Sequence, residues 1–171
     1  MFLVDTNVFV YAANTALPEH DTCRRLLEKW QRQQTAWYTT WGILYEFLRV
    51  VSHGQALRHP WSTGRAVDFV QVLLASPGFG VLTPTPRHAS LLAETVHEVS
   101  GLRGSILHDV HTVVLMREHG IRRIVTRDSQ FRRFPFLEVV DPLGPDQPEF
   151  ARERASARYG GRSRRKPRAR A

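Results

Sequence analysis

Apolar positions along the chain fall into short continuous runs separated by longer stretches with helical spacing. Phe2-Leu3-Val4 is a run of the first kind, ending at Asp5, the pattern of a buried strand that delivers a polar side chain at its C-terminal end. Asp5-Thr6-Asn7 then reads as a strand-to-helix turn, with Thr6 or Asn7 as the N-cap of a short helix reaching about residue 13. Pro18 precedes a second helix over roughly 19–33, with Leu26, Leu27 and Trp30 on one face. Residues 36–39 form a candidate second strand. Thr40 is placed to cap a helix to about Val51, in which Ile43, Leu44, Phe47, Leu48 and Val51 recur at helical spacing. Glu46 lies among these apolar positions. A further helix is expected over roughly 62–75, stopping before Pro77-Gly78.

Val81-Leu82 is a short strand candidate, and Pro86 opens a helix to about Val99 that Gly101-Leu102-Arg103-Gly104 interrupts. A helix over about 105–118 follows, with Gly120 as its C-terminal stop. Residues 123–126 form a strand with Asp128 just past its end, and Leu137–Val140 form the last one. Strands alternating with helices predict an α/β fold with a mostly parallel sheet. In such sheets ligands bind at the carboxyl ends of the strands, where this reading puts Asp5 and Asp128.

Composition narrows the picture. At 171 residues and 42% hydrophobic, the chain can build one domain with a real core but not two. A single cysteine, Cys23, excludes an internal disulfide and a zinc site of several thiolates, and fits a reducing compartment. No stretch approaches the roughly 20 apolar residues of a membrane helix, and Met-Phe-Leu-Val-Asp lacks the basic start of a secretory leader. A soluble, cytoplasmic protein with no membrane partner is therefore expected.

The formal net charge of +8 is unevenly placed. Residues 151–171 carry nine basic side chains against one acid, Glu153, whereas residues 1–150 carry 15 of each sign. From Pro142 onward the composition turns proline-containing and then Arg-rich with almost no apolar bulk. This divides the chain into a domain over 1–143 and a basic tail over 144–171, expected to be disordered when free from about residue 151. The tail is either a phosphate-contacting arm or a solvated extension.

The candidate chemistry is acidic. A cation such as Mg²⁺ takes hard oxygen ligands, and carboxylates clustered without one repel each other. Most acids of the body sit where exposed helices or loops would put them, but four do not. Asp5 and Asp128 each follow an apolar strand, Glu46 interrupts an apolar helix face, and Asp109 lies between Ile106-Leu107 and the run from Val110 to Leu115. Burying acids is costly, so function is one reason to keep them there. Taken singly, helix capping and surface ion pairing explain each equally well. Arg127, Arg132 and Arg133 lie beside Asp128 and are candidates for positioning a substrate. His108 and His111 read as ordinary helix residues, although a proton shuttle or extra ligand is the alternative. Trp30, Trp37, Trp41 and Trp61 read mainly as packing, with base stacking the alternative for Trp41 and Trp61 above all. No nucleophile elbow surrounds Ser105 or Cys23, and no Gly-Lys-Ser/Thr follows Gly104; Arg103 is a candidate phosphate contact.

The segments Leu3-Val4-Asp5-Thr6-Asn7, Glu46 in a mid-chain helix, Leu107-His108-Asp109, and Ile124-Val125-Thr126-Arg127-Asp128-Ser129-Gln130-Phe131 together resemble PIN domains, with the acids in matching order and spacing. Asp109 to Phe131 is the most specific stretch. The resemblance covers residues 1 to about 143 and is strongest to VapC-type toxins of toxin–antitoxin pairs. It implies a three-layer α/β/α sandwich and a Mg²⁺ or Mn²⁺ site of Asp5, Glu46, Asp109 and Asp128, with Asn7 supporting Asp5 and Thr126 orienting Asp128. It also implies endonucleolytic cleavage of structured RNA such as tRNA or rRNA, inhibition by a cognate antitoxin protein, and a homodimer. His111 departs from the small residue many relatives have there, and the tail is longer than the fold requires. Two other readings are a non-catalytic RNA- or protein-binding module on the same fold and a structure-specific DNA nuclease.

Overall fold

A computed structural model describes residues 1–54, 57 and 59–144. The expected tail disorder therefore lies outside the described residues. Five strands, β1 (Phe2–Val4), β2 (Trp37–Thr40), β3 (Phe79–Leu82), β4 (Arg123–Val125) and β5 (Glu138–Val140), pair in the order β3-β2-β1-β4-β5, every pair parallel. Between them run α1 (Thr6–Ala13), α2 (His20–Arg32), α3 (Trp41–Ser52), α4 (Thr63–Leu74), α5 (His88–Glu98) and α6 (Ile106–Glu118). A short 3-10 helix, Ser129–Arg133, links β4 to β5.

Parallel strands need crossover connections, and these are right-handed. The chain steps outward from β1 through β2 to β3, which puts α1 to α4 on one face. It then returns past β1 to β4, which puts α5 and α6 on the other. The result is the three-layer sandwich. β1, flanked on both sides, is wholly apolar and buried, as a central parallel strand requires. The reversal of direction falls between β1 and β4, and a crevice opens there at the carboxyl ends of the strands.

Sequence patterns account for most element ends. Thr40 caps α3 as expected, its hydroxyl accepting from the Ile43 amide at 3.1 Å. Ser62 caps α4 in the same way through the Arg65 amide. Gly120 follows α6 with φ +66°, a left-handed stop that only glycine adopts without strain. Gly78 has φ +70°, and a Cβ there would sit 2.8 Å from the Thr35 carbonyl oxygen, so the turn into β3 requires glycine. The first cap differs from expectation. Asp5 itself, not Thr6 or Asn7, is the N-cap of α1, because it is still extended (φ −87°, ψ 162°) and its carboxylate accepts from the Thr6 amide.

One aromatic chain ties α2 to the sheet. Phe2, Trp30, Trp37 and Phe79 follow one another with ring centroids 5.1, 5.9 and 4.5 Å apart. A second group, Phe47, Trp61 and Phe69, seats α3 against α4, with Arg65 4.1 Å over the Trp61 ring. Of the four tryptophans, only Trp41 lies largely on the surface, 47% exposed. No helix among the described residues is long and apolar enough to cross a membrane.

Candidate functional site

Asp5 ends the central strand, and its backbone extends the sheet by one bond, donating to the Val125 carbonyl at 3.2 Å. The residue is buried, and both oxygens of its carboxylate are engaged. Oδ1 accepts from the Thr6 amide at 2.7 Å, while Oδ2 accepts from Asn7 Nδ2 at 2.7 Å and from the Thr126 hydroxyl at 2.6 Å. Having donated its one proton to Asp5, that hydroxyl accepts from Asn7 Nδ2 at 2.7 Å and from the Asp128 amide at 2.9 Å. Asn7 Oδ1 accepts from the Arg127 amide at 3.3 Å. The turns after β1 and β4 are therefore laced together across the switch point. Thr126 acts on Asp128 through the backbone amide rather than the carboxylate. The Asp128 carboxylate caps the 3-10 helix, accepting from the Gln130 amide at 2.8 Å.

Asp109 enters from the opposite layer, in the first turn of α6. Glu46 enters from α3. It does not break the buried face of that helix, which consists of Ile43, Leu44, Phe47 and Val51. It stands beside that stripe, about half exposed, accepting from the Thr6 hydroxyl at 3.0 Å and lying 3.6 Å from Arg49. All four acids line one open cleft of about 820 Å³.

Their electrostatics show that they sense one another. Burial pushes the Asp5 carboxyl up to about 7 despite the bonds from Thr126 and Thr6, and the charges of Asp109 and Glu46 add to the rise. Asp109 is pushed up to about 6, first by burial and then by Asp128 and Glu46. Four carboxylates held in one cleft at this cost make a site for positive charge. Every acidic donor is a hard oxygen, which fits Mg²⁺ or Mn²⁺ rather than a thiophilic metal. Among the described residues, no three His, Cys, Asp or Glu side chains close into a ready-made coordination shell. A wide carboxylate cleft still suits Mg²⁺, which is commonly bound through one or two carboxylates and keeps several waters.

The basic residues distribute differently from their sequence neighbours. Arg133 lines the cleft, and its guanidinium also donates to the carbonyls of Ser100 and Gly101 at 2.9 and 3.3 Å, tying down the loop before α6. Arg127, next to Asp128 in sequence, points elsewhere: it pairs with Glu19 at 2.6 Å and Asp141 at 3.6 Å. Arg132 is exposed and outside the cleft lining. Arg49 and Arg103 do line it.

His108 and His111, three residues apart and so on one side of α6, both line the cleft; Asp109 lines it too, although helix geometry turns residues 109 and 111 apart, because the cleft is wide and Gly42 leaves room beside the His111 ring. Desolvation lowers the His111 pKa, helped by His88, whose ring lies edge-on at 5.4 Å. His88 Nδ1 in turn lies 2.7 Å from Glu118, which also accepts from the Thr85 amide and hydroxyl. Burial pushes the Glu118 carboxyl up, but the bonds from His88 and Thr85 outweigh it and hold it below the ordinary range. Tyr45 and Gln130 also line the cleft and carried no distinguishing sequence signal.

The sequence profile of the PIN domain matches residues 2–137. Ribonuclease VapC48 of Mycobacterium tuberculosis is 30% identical over 139 residues, covering 81% of this chain and 95% of its own length. Ribonuclease VapC37 of the same organism is 32% identical over 142 residues, covering 83% and 97%. Among solved structures, Mycobacterium tuberculosis VapC20, described as a sarcin-ricin loop cleaving toxin, superposes with a TM-score of 0.59 at 20% identity over 82% of this chain and 100% of its own. VapBC2 from Rickettsia felis, bound to a fragment of promoter DNA, superposes with 0.59 at 17% identity over 81% and 96%. These likenesses confirm the sandwich; at under 25% identity the structural ones speak to the fold alone.

Proposed function

The chain belongs to the PIN-domain family, and from that premise we propose that it is a metal-dependent endoribonuclease acting as the toxin of a toxin–antitoxin pair. The observation that carries the chemistry is the joint rise of Asp5 and Asp109 in a cleft shared with Glu46 and Asp128, a cost that a bound cation removes. The curated relatives, named ribonucleases, support RNA as substrate. The complexes of antitoxin with toxin among the structural neighbours support a cognate antitoxin as partner. A homodimer and a tRNA or rRNA target complete the proposal.

Asp5, Glu46, Asp109 and Asp128 would hold Mg²⁺ or Mn²⁺. When bound, the metal activates water and neutralises charge developing on the scissile phosphate. Thr126 and Asn7 fix the Asp5 carboxylate, so that it is presented without reorganisation. Arg49, Arg103 and Arg133 are placed to hold phosphates beside the scissile one. Arg133 also keeps the loop carrying Arg103 in place through the Ser100 and Gly101 carbonyls. Water enters opposite the 3′ oxygen, the phosphorus–O3′ bond breaks, and the products carry 5′-phosphate and 3′-hydroxyl ends.

The test compares RNA and DNA substrates of matched sequence and fold at equal salt, with end mapping of the products. The proposal expects metal-dependent internal cleavage of RNA only, with 5′-phosphate ends. Equal or preferred cleavage of DNA would replace RNA as the substrate. RNA binding with cleavage of neither substrate would make the chain a binding module.

A further inference from the structure

α3 presents more to the cleft than Glu46. Its buried stripe faces the core, and on its outer side Trp41 and Tyr45, one turn apart, stand 47% and 67% exposed. Their ring centroids are 6.2 Å apart with planes tilted by 44°. Tyr45 is part of the cleft wall, next to Glu46, and Arg49 lines the same wall one turn further on. A tryptophan left in solvent forgoes about the largest burial any side chain offers. The other three tryptophans of the chain are not left so: Trp30 and Trp37 are completely buried, and Trp61 packs on Phe47 and Phe69.

We propose that Trp41 and Tyr45 form a base-stacking step on which a nucleotide flanking the scissile phosphate rests. The inference rests on the ribonuclease reading and deepens it. A cleft built of four carboxylates repels a polyanion, so local affinity for the strand has to come partly from contacts that charge does not cancel. An unpaired base offers such a contact through its face, which stacks on aromatic side chains irrespective of sequence. The arrangement along α3 supplies both needs in order: two rings, then the carboxylate of Glu46, then the cation of Arg49. Stacking on this step also requires the nucleotide to be unstacked from its own helix, which directs cleavage to loops and bulges.

The test measures binding of a labelled, mixed-sequence single-stranded RNA to the full chain in EDTA, where cleavage does not interfere. The variants are Trp41→Ala, Trp41→Phe and Tyr45→Ala, each checked for an unchanged melting temperature. Trp41→Ala is expected to weaken binding roughly five- to one-hundred-fold, with Tyr45→Ala weaker in the same direction and Trp41→Phe retaining most affinity. The same oligonucleotide made abasic is expected to bind wild type and Trp41→Ala alike. Unchanged RNA affinity in Trp41→Ala overturns the proposal, as does an equal loss with the abasic strand. Loss of self-association or of antitoxin binding with RNA affinity intact would reassign the rings to a protein contact. Metal-dependent cleavage of total RNA by wild type, run in parallel, tests the ribonuclease reading separately: cleavage with a normal Trp41→Ala rate sinks only the stacking step.

Discussion

Replacing Asp5 by Asn separates what this carboxylate costs the fold from what it contributes to chemistry. Moving an aspartate from 3.8 to about 7 corresponds to about 4 kcal/mol of destabilisation of the metal-free chain above neutral pH. The sign follows from proton counting. Between about pH 4 and 7 the folded chain keeps a proton at Asp5 that the unfolded chain has lost, so metal-free stability falls as pH rises through that window and levels off above it. Asparagine removes the charge but keeps one acceptor oxygen, enough for the Thr6 amide. Its own amide then opposes Asn7 Nδ2, and losing that acceptor costs about 1–3 kcal/mol. In EDTA at neutral pH, Asp5→Asn is therefore expected to be as stable as wild type or more so, by up to about 3 kcal/mol. At about 2–4 °C per kcal/mol, that upper bound is about 6–12 °C in melting temperature. With Mg²⁺ near one hundred times its Kd, wild type gains about 2.7 kcal/mol and the variant little. Thermal unfolding in EDTA and in Mg²⁺, across a pH series, reads both effects. A variant that melts well below wild type in EDTA, or that responds to Mg²⁺ as wild type does, would refute the reasoning.

Three further perturbations follow from the same contacts. Thr126→Val removes the hydroxyl shared by Asp5, Asn7 and the Asp128 amide and leaves buried donors unmet; a loss of about 2–4 kcal/mol is expected in denaturant unfolding, and Thr126→Ser should recover most of it. Glu118 has a depressed pKa, so its contribution to stability is present above the ordinary glutamate range and disappears as pH falls through the folded value; Glu118→Gln should flatten the acid limb of the stability profile, and an unchanged limb would remove the His88–Glu118 pair as its cause. Gly78→Ala places a side chain at φ +70° against the Thr35 carbonyl; a loss of at least about 1–2 kcal/mol in denaturant midpoint is expected, whereas Gly120→Ala, with open space around it, should cost less.

Much of this was legible in the sequence because the determinants are local. Apolar runs ending in Asp5 and near Asp128 gave β1 and β4, and periodicity gave α3 and α6 within a residue or two. Each of the four acids stood out against an apolar neighbour, and the structure brings all four to one cleft. What was missed depends on direction in space. Arg127 adjoins Asp128 in sequence and Arg133 lies five residues beyond it, yet it is Arg133 that turns to the cleft, because Glu19 from the turn before α2 and Asp141 beyond β5 claim Arg127. Tyr45 and Arg49 share the apolar stretch of Glu46 but stand on the side of α3 away from its buried stripe, where a sequence does not separate cleft from solvent, and nothing marks Gln130 apart from its neighbours. The 3-10 helix is too short to show a period. For Asp5 the sequence left capping and a metal site as alternatives, with Thr6 or Asn7 as the expected cap of α1; in the structure the Asp5 carboxylate accepts the first amide of α1 and lines the cleft as well.

The central claim, that the four-carboxylate cleft performs metal-dependent RNA cleavage, is tested most directly by incubating total RNA with the purified, antitoxin-free chain in Mg²⁺ or Mn²⁺, in EDTA, and after metal is restored, alongside Asp5→Asn and Asp109→Asn. The account predicts discrete fragments from wild type with metal, none in EDTA, their return when metal is restored, and none from either variant although both remain folded. Fragments that persist in EDTA, or that either variant produces at the wild-type rate, would contradict it.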